Sequence, residues 1–519
     1  MAAPTPPVRT TAGLVTGRRE DGLNVFRGIP FARPPVGALR FQAPQPVEAW
    51  AGPRPAGTFG APPPQPAGRA VSAPAGAGDP DDWLTVNVWS PDLGAVRLPV
   101  MVWIYGGAYV AGSASAPAYN GAELARRGVV LVSFNYRLGM EGFAQFTGAP
   151  ANRGLLDQAA ALRWVQDNIA AFGGDPGRVT VFGESAGAGS VASLLVMDAA
   201  AGLFHQAIAQ SVPGTFFSPG LAADLAAAAA RHLGLPPDAR ALRDVAPGQL
   251  VAAGQSVLAS FGEPANRDRW GAVAHTLTPF SPVVDGEVLP DTPWDALSHG
   301  RARDVELIVG HNRDECRLFT AGHEVAGAVV TSALDAFTPR PGGPAAYRKA
   351  FPAAGDRRLY ELAYSDWLFR MPSLHLADAH ASRGGVTHLY ELTYPAPGAG
   401  GVLGACHGLD VPLVFGTPRA DFGAMLLGDP VPESALAVGN AMRADWTAFA
   451  AGHEGRPGHE GRPGREGRQA GSSGRRWPRY DPRHRLTRVY GDHVTDREYP
   501  EDASRRLWAE HRFAPLPLL

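Results

Sequence analysis

The segment Gly183–Gly187, with the sequence Gly-Glu-Ser-Ala-Gly, has the residue types of a nucleophilic turn. It follows Val179–Phe182, a short β-branched and aromatic run, and it precedes Ala188–Leu195, which is small and apolar enough for a buried helix. A sharp turn between a strand and a helix exposes a serine hydroxyl, and the flanking glycines avoid the collisions of a Cβ. The helix start directs N–H groups and positive dipole toward an oxyanion. The pattern predicts that Ser185 is a nucleophile for acyl transfer; a chance Gly/Ser turn is the alternative.

A serine nucleophile of this kind needs an acid and then a histidine later in the chain. The run Leu307–Val309 predicts a strand, and Asp314 and Glu315 follow it closely. Among the 15 histidines, His407 is distinguished by its place after these acids, between small residues and ahead of an apolar run. From the residues alone we expect His407 as the base, with the acid open between Asp314 and Glu315.

A glycine loop earlier in the chain completes the set. The predicted strand Pro99–Ile104 ends in Tyr105-Gly106-Gly107-Ala108, where small residues let backbone N–H groups approach a substrate carbonyl. A Gly-Gly pair by itself is more often an ordinary turn. Loop, serine turn, acid and histidine in the required order are together a much rarer coincidence, and they predict an oxyanion hole.

The composition excludes several classes of protein. The chain has 519 residues, 45% of them hydrophobic, which is enough for a large core. A formal net charge of -2 gives no basic surplus, so no nucleic-acid partner is expected. Cys316 and Cys406 cannot build a disulfide framework. The N-terminus does not read as a signal peptide, and no apolar run reaches transmembrane length. We therefore expect a cytoplasmic monomer with no transmembrane segment that acts on a small molecule.

Alternating strand and helix patterns favour a largely parallel sheet, with an antiparallel edge formed by the first strands. The clearest helix pattern is Asn152–Ala171. We expect one domain, 1–519. Pro53–Pro80 is rich in Pro, Gly and Ala and predicts a long surface loop. The Gly/Arg-rich repeats that begin at Gly452 predict a disordered insert at 452–476, and its His453 and His459 have no fixed geometry for a metal.

The chain resembles the type-B carboxylesterases, a group of α/β-hydrolases that includes bacterial esterases and the cholinesterases. The resemblance covers nearly the whole chain. It is carried by the motifs Phe26–Ala32 with Pro34–Gly37, Leu84–Trp89, Asn135–Gly139, Gly154–Gln158, Phe172–Pro176, Phe182–Gly187, Pro282–Gly286 and Trp477–Tyr480. It implies the α/β-hydrolase fold, a central and mostly parallel β-sheet flanked by helices with an antiparallel N-terminal edge.

The resemblance also implies roles for particular residues. The family's acid is the Glu of an Asp-Glu pair, here Glu315. The family's oxyanion donors match the N–H groups of Gly107, Ala108 and Ala186. These implications name Ser185 as nucleophile, His407 as base and Glu315 as acid.

Three further residues match positions that support the site in the family. Ser211 matches a serine that contacts the triad, Gly106 belongs to the glycine loop, and Asp410 matches an acid often found three residues after the histidine. For Asp410, helix capping is an equal alternative. The stretch His275–Thr278 stands where cholinesterases narrow the acyl pocket with aromatics, which suggests a roomier acyl site.

The function implied is a serine carboxylesterase that hydrolyses esters through an acyl-enzyme intermediate. This chemistry requires no organic cofactor and no metal. Two alternatives stay open: a carbamate or amide hydrolase on the same triad, and a non-catalytic binding protein of the same fold.

Overall fold

The computed structural model describes residues 3–67, 79–95, 97–322, 327–452 and 477–519. The strands are β1 (Val8–Arg9), β2 (Leu14–Thr16), β3 (Arg18–Glu20), β4 (Leu23–Pro30), β5 (Pro53–Pro55), β6 (Thr85–Ser90), β7 (Leu98–Ile104), β8 (Val130–Phe134), β9 (Gly174–Glu184), β10 (Gln206–Gln210), β11 (Glu306–Asn312), β12 (Thr387–Leu392), β13 (Leu486–Tyr490) and β14 (Val494–Glu498). From residue 453 onward the predicted disordered insert, with His453 and His459, lies outside the described residues.

The α-helices are α1 (Ala122–Ala125), α2 (Gly139–Phe143), α3 (Arg153–Asn168), α4 (Ala186–Val196), α5 (Pro219–His232), α6 (Ala239–Leu242), α7 (Pro247–Ala259), α8 (Pro264–Trp270), α9 (Pro293–Ser298), α10 (Arg317–Thr320), α11 (Gly327–Phe337), α12 (Gly343–Ala350), α13 (Asp356–Ser365), α14 (Met371–Ser382), α15 (Asp410–Phe415), α16 (Asp421–Leu427), α17 (Glu433–Ala451) and α18 (Asp502–Trp508). A turn of π-helix, Asp366–Arg370, joins α13 to α14. Among the helices of the described residues, none combines the length and apolarity needed to span a bilayer.

One large sheet organises the fold. Within the described residues it has 11 strands in the order β14-β13-β12-β11-β10-β9-β7-β8-β6-β4-β3. Neighbouring strands from β13 to β8 in this order are parallel, whereas β6, β4 and β3 form an antiparallel N-terminal edge. The expected fold, a mostly parallel sheet with an antiparallel N-terminal edge, is confirmed.

The central strands are buried on both faces because helices cover the sheet on both sides. This explains why β7 is an unbroken apolar run rather than an alternating one. The predicted helix at 152–171 is also present, as α3 followed by a short turn of 3-10 helix, Ile169–Phe172, which Gly173 ends at a φ of 85°. Glycine suits that left-handed end because it has no Cβ.

The prediction of a long surface loop at Pro53–Pro80 is wrong for its first part. Pro53–Pro55 forms β5, which pairs with β2. Further along, the side-chain amide of Gln65 donates to the carbonyl of Gly112 at 2.9 Å and accepts its N–H at 3.0 Å. The segment is thus tied to the backbone four residues beyond Ala108 of the glycine loop, although no periodicity in its sequence indicates this. Residues 68–78 of the predicted loop lie outside the described residues.

Candidate active site

Ser185 lies on the sharp turn between β9 and α4, with φ 57° and ψ -124°. The glycines around it are required sterically. A Cβ on Gly187 would stand 2.0 Å from the carbonyl oxygen of Ile104, and a Cβ on Gly183 would stand 2.7 Å from the backbone of Gly187. Strand β7 therefore approaches the turn so closely that only glycine fits. The strained serine conformation is the one that a nucleophile on such a turn adopts.

Glu315 and His407 come together although 92 residues separate them. Glu315 follows the end of β11, and His407 lies in the loop before α15. The Nδ1 of His407 is 2.6 Å from Oε2 of Glu315. The two loops are also joined through the backbone, since the N–H of His407 donates to the carbonyl of Glu315 at 3.1 Å.

The neighbouring acid, Asp314, points elsewhere. Its carboxylate pairs with three arginines, Arg313 at 2.9 Å, Arg317 at 3.6 Å and Arg358 at 3.2 Å. Asp314 is thus engaged in an ion-pair cluster that holds the loop, while Glu315 faces the histidine. Of the two acids that the residues alone left open, Glu315 is the one whose side chain contacts the histidine.

The second oxygen of Glu315 is fully engaged. Its Oε1 accepts the hydroxyl of Ser211 at 2.6 Å and the backbone N–H of Asn312 at 2.8 Å. All three residues are completely buried. Ser211 thus contacts the carboxylate of Glu315 directly. Asn312 was not anticipated, and its only sequence signal is its position at the end of β11, three residues before the acid.

Asp410 is buried and binds side chains rather than the helix that it begins. Its Oδ2 accepts from Nε2 of Gln210 at 2.7 Å and from the hydroxyl of Tyr390 at 3.0 Å. The N-cap position of α15 is Leu409, and no side-chain capping bond is made there. For Asp410, these contacts favour the supporting role over helix capping.

Glu184 is a further site residue that the sequence did not reveal. It is the second residue of the Gly183–Gly187 motif, and its Oε1 lies 3.1 Å from Nε2 of His407. Burial raises the pKa of Glu184 to about 8, assisted by the charges of Asp410 and Glu315 and opposed by that of His407. The sequence signal that could have indicated this residue is its position: a carboxylate directly before the serine, in a turn that is expected to be buried.

The histidine is held between two carboxylates. Burial disfavours its imidazolium, but the charges of Glu184 and Glu315 outweigh burial and raise the pKa of His407 to about 9. A general base must be neutral to accept a proton, so activity should be lost below this pKa. Because the charge of Glu184 raises the pKa of His407, this residue should affect the pH range in which the enzyme is active.

We expect Glu184→Gln to shift the acid limb of kcat/KM to lower pH, by about one unit. The substitution removes a negative charge beside the imidazole, which lowers the pKa of His407 and leaves the base neutral at lower pH. Asp421→Asn is the matched control, because Asp421 lines the same cavity and has no contact with His407 among the described residues. A profile that stays in place in Glu184→Gln, measured with a p-nitrophenyl ester, contradicts this electrostatic role.

The glycine loop lies opposite the serine turn. Gly107 has a φ of 116°, Ala108 one of 56°, and a Cβ on Gly107 would stand 2.1 Å from the carbonyl oxygen of Ala111. A Cβ on Gly106 would stand 3.0 Å from the Cβ of Ser185, so this glycine permits the loop to approach the serine. Positive φ values turn successive N–H groups toward one side, which suits binding of an anion.

The three residues expected to donate to an oxyanion line one cavity. Gly107, Ala108 and Ala186 all line it together with Ser185 and His407. Within the described residues, none of the three N–H groups has a hydrogen-bond partner. Ala186 is the first residue of α4, where a helix leaves its N–H groups unpaired. The structure thus brings together all three residues of the expected oxyanion hole.

The cavity has a volume of about 740 Å³ and is mostly apolar. Its aromatic lining consists of Tyr109, Tyr119, Phe319, Phe369 and Phe422. Thr215, Thr276 and Thr278 line it as well; the hydroxyls of Thr276 and Thr278 donate to backbone carbonyls, so these two residues offer little free polarity. Among the described lining residues, the acidic and basic side chains are those of Glu184, Asp421 and His407. Neither Lys nor Arg occurs there.

The cysteines beside the acid and the base are packing residues. Both are completely buried, and burial raises the pKa of the Cys406 thiol to about 12 and that of Cys316 well above its usual range. Thiols protonated at neutral pH are poor nucleophiles. Neither cysteine lines the cavity that holds Ser185.

Comparison with known proteins identifies the family. A sequence model of the carboxylesterase family matches residues 4–336. The chain is 34% identical to the para-nitrobenzyl esterase of Bacillus subtilis over 96% of its own length and 97% of that protein. It is 37% identical to the phenmedipham hydrolase of Pseudarthrobacter oxydans over 86% and 89% of the two chains.

The fold agrees with these sequence matches. The structure of a Geobacillus stearothermophilus carboxylesterase superimposes with a TM-score of 0.80 at 33% identity, covering 97% of this chain and 100% of that one. An isolated motif cannot produce agreement over nearly the whole length in both sequence and fold, and the chain therefore belongs to the carboxylesterase family.

Proposed function

We propose that the protein hydrolyses carboxylic esters with Ser185 as nucleophile, His407 as general base and Glu315 as the acid that orients the histidine. The observation that supports this most strongly is the buried hydrogen-bond chain from Ser211 through Glu315 to Nδ1 of His407. In the neutral imidazole this chain favours the tautomer with its proton on Nδ1, which leaves Nε2 as the acceptor. His407 and Ser185 line the same cavity, and Nε2 also lies 3.1 Å from Oε1 of Glu184.

The reaction follows from this arrangement. His407 takes the proton of Ser185 as the Oγ attacks the ester carbonyl, and Glu315 stabilises the resulting imidazolium. The N–H groups of Gly107, Ala108 and Ala186 bind the tetrahedral oxyanion, and each such donor is typically worth about 3 kcal/mol in the barrier. The imidazolium protonates the departing alkoxide and leaves an acyl-enzyme. Water attacks this intermediate, with His407 again as base, and releases the carboxylic acid.

The favoured substrates are small neutral esters. The cavity walls are aromatic and aliphatic, and the threonines on the acyl side leave more room than aromatic side chains would. Neither Lys nor Arg occurs among the described residues of the lining. An anionic substrate would therefore lose hydration in a mostly apolar cavity without a lysine or arginine to pair with its charge.

Carbamate hydrolysis is the second candidate. It begins with the same attack on a carbonyl, and the similarity to a phenmedipham hydrolase at 37% identity favours it specifically. Its distinguishing step is deacylation, because nitrogen donation makes a carbamoyl-enzyme less electrophilic than an acyl-enzyme.

A panel of three activated esters tests these proposals. We expect rapid turnover of p-nitrophenyl butyrate, at least about tenfold slower kcat/KM for the anionic mono-p-nitrophenyl ester of glutarate, and a p-nitrophenol burst with slow turnover for p-nitrophenyl N-methylcarbamate. The burst amplitude should equal the fraction of enzyme labelled by a serine-directed fluorophosphonate. Absence of labelling and turnover would overturn the esterase proposal. Equal rates for the neutral and anionic esters would overturn the proposed substrate class.

A further inference from the structure

Two aromatic rings flank the imidazole of His407. Phe369 stacks on it, with ring centroids 4.1 Å apart and an angle of 24° between the planes. Phe319 lies at 5.4 Å with a tilt of 52°. Phe369 is only 3% exposed, and both phenylalanines line the cavity that contains Ser185. The closer ring thus covers one face of the imidazole and separates it from water.

The backbone that carries Phe369 has an unusual form. Phe369 is the fourth residue of the π-helical turn Asp366–Arg370, between α13 and α14. Such turns contain an extra residue relative to an α-helix, and they occur frequently at functional sites. The extra residue changes the direction of the side chains within the turn. In this chain the turn directs Phe369 onto His407.

A buried arginine holds this turn in place. Arg370 is completely buried. Its guanidinium is bound by Asp366 at 2.7 Å, Glu501 at 3.1 Å, the hydroxyl of Ser504 at 2.8 Å and the carbonyl of Arg313 at 3.0 Å. These partners come from the turn itself, from the C-terminal helix region and from the loop that carries Glu315. The position of Phe369 is therefore coupled to that of the catalytic acid.

We propose that Phe369 is a positioning residue for His407 in ester hydrolysis: its ring holds the imidazole with Nδ1 on Glu315, and its π face stabilises the imidazolium of each proton transfer. A cation over an aromatic face is attracted by the ring quadrupole, and more so where water is excluded. The other charged groups that act on this imidazole are Glu184, Glu315 and Asp410. A substitution at Phe369 changes none of these carboxylates. The inference rests on the proposed role of His407 as base.

The test compares Phe369→Leu with Phe369→Tyr. Leucine keeps an apolar side chain over the imidazole but removes the π face, so we expect kcat for p-nitrophenyl butyrate to fall about tenfold while KM changes little. The acid limb of kcat/KM should move to lower pH, because the imidazolium loses stabilisation. Tyrosine keeps the aromatic face and should restore both the rate and the position of the limb.

Phe422→Leu is the matched control, since Phe422 is an aromatic residue of the same cavity with no ring contact to His407 among the described residues. It should alter KM without moving the acid limb. The inference is overturned if Phe369→Leu raises KM alone, or if the Leu and Tyr variants behave alike. These outcomes are distinguishable from a failure of the esterase proposal, in which the unmodified protein would neither turn over the ester nor react with the fluorophosphonate.

Discussion

Ser185→Ala should lower kcat for p-nitrophenyl butyrate by a factor on the order of 10⁶, with no loss of folded protein. The substitution removes only the Oγ, which has no hydrogen-bond partner among the described residues. The turn that holds residue 185 is set by Gly183, Gly187 and strand β7, none of which changes. The measurements are steady-state turnover, fluorophosphonate labelling and the thermal unfolding midpoint.

Ser193→Ala is the control for this prediction. Ser193 lies on α4, the helix that begins directly after Ser185, and its hydroxyl donates to the carbonyl of Gly189 at 2.8 Å, away from the cavity. Its kcat should match that of the unmodified protein. Because the triad acts as a unit, adding His407→Ala to Ser185→Ala should cost little more. Residual turnover within tenfold of normal in Ser185→Ala would remove the serine from its proposed role.

Glu315→Gln should lower kcat by about 10⁴-fold although it is nearly isosteric. The reason lies in the two oxygens of the carboxylate. Oε1 accepts a fixed backbone N–H from Asn312, so the amide oxygen of a glutamine must take that place. The amide NH₂ would then face Nδ1 of His407. A donor at this position forces the imidazole proton onto Nε2, the atom that has to accept the proton of Ser185.

Asp314→Asn provides the comparison. Asp314 belongs to the same loop, but its carboxylate binds arginines rather than the histidine. We expect a lower thermal midpoint from the weakened ion pairs, with kcat per folded molecule largely retained. Kinetics in Glu315→Gln, together with the ¹H NMR shift of the imidazole ring protons, report the tautomer. If Asp314→Asn loses activity and Glu315→Gln keeps it, the assignment of the acid is reversed.

Local sequence patterns predict much of the fold. The predicted strands at Pro99–Ile104 and Leu307–Val309 appear within β7 and β11, because β-branched and aromatic runs suit a sheet covered on both faces. The strand β10 gave no such signal. Its sequence, Gln-Ala-Ile-Ala-Gln, has little β-propensity, and it becomes a strand because it pairs with β9 on one side and β11 on the other. Its carboxyl end nevertheless places Ser211 beneath Glu315.

The candidate active site likewise contains residues that local sequence patterns reveal and residues that they do not. Ser185 and the glycines around it were identifiable because a tight turn imposes steric rules on a few consecutive residues. The roles of Glu184 and Phe369 were not, because each depends on its distance to His407, more than 30 residues away in the chain. A carboxylate next to a serine, or a phenylalanine in a helix-rich segment, has no local property that reveals which imidazole it touches.

By itself, the sequence determined the family, the order of the chemical groups along the chain and the serine turn, since these depend on residue type and short spacing. Only the tertiary structure decided the direction of each side chain at the end of its strand. It turned Asp314 toward arginines and Glu315 toward His407, placed Glu184 3.1 Å from the other side of the imidazole, and stacked Phe369 on its face. The physical reason is that a parallel sheet gathers the carboxyl ends of strands far apart in the chain, so the charges and rings that act on one imidazole meet only after folding.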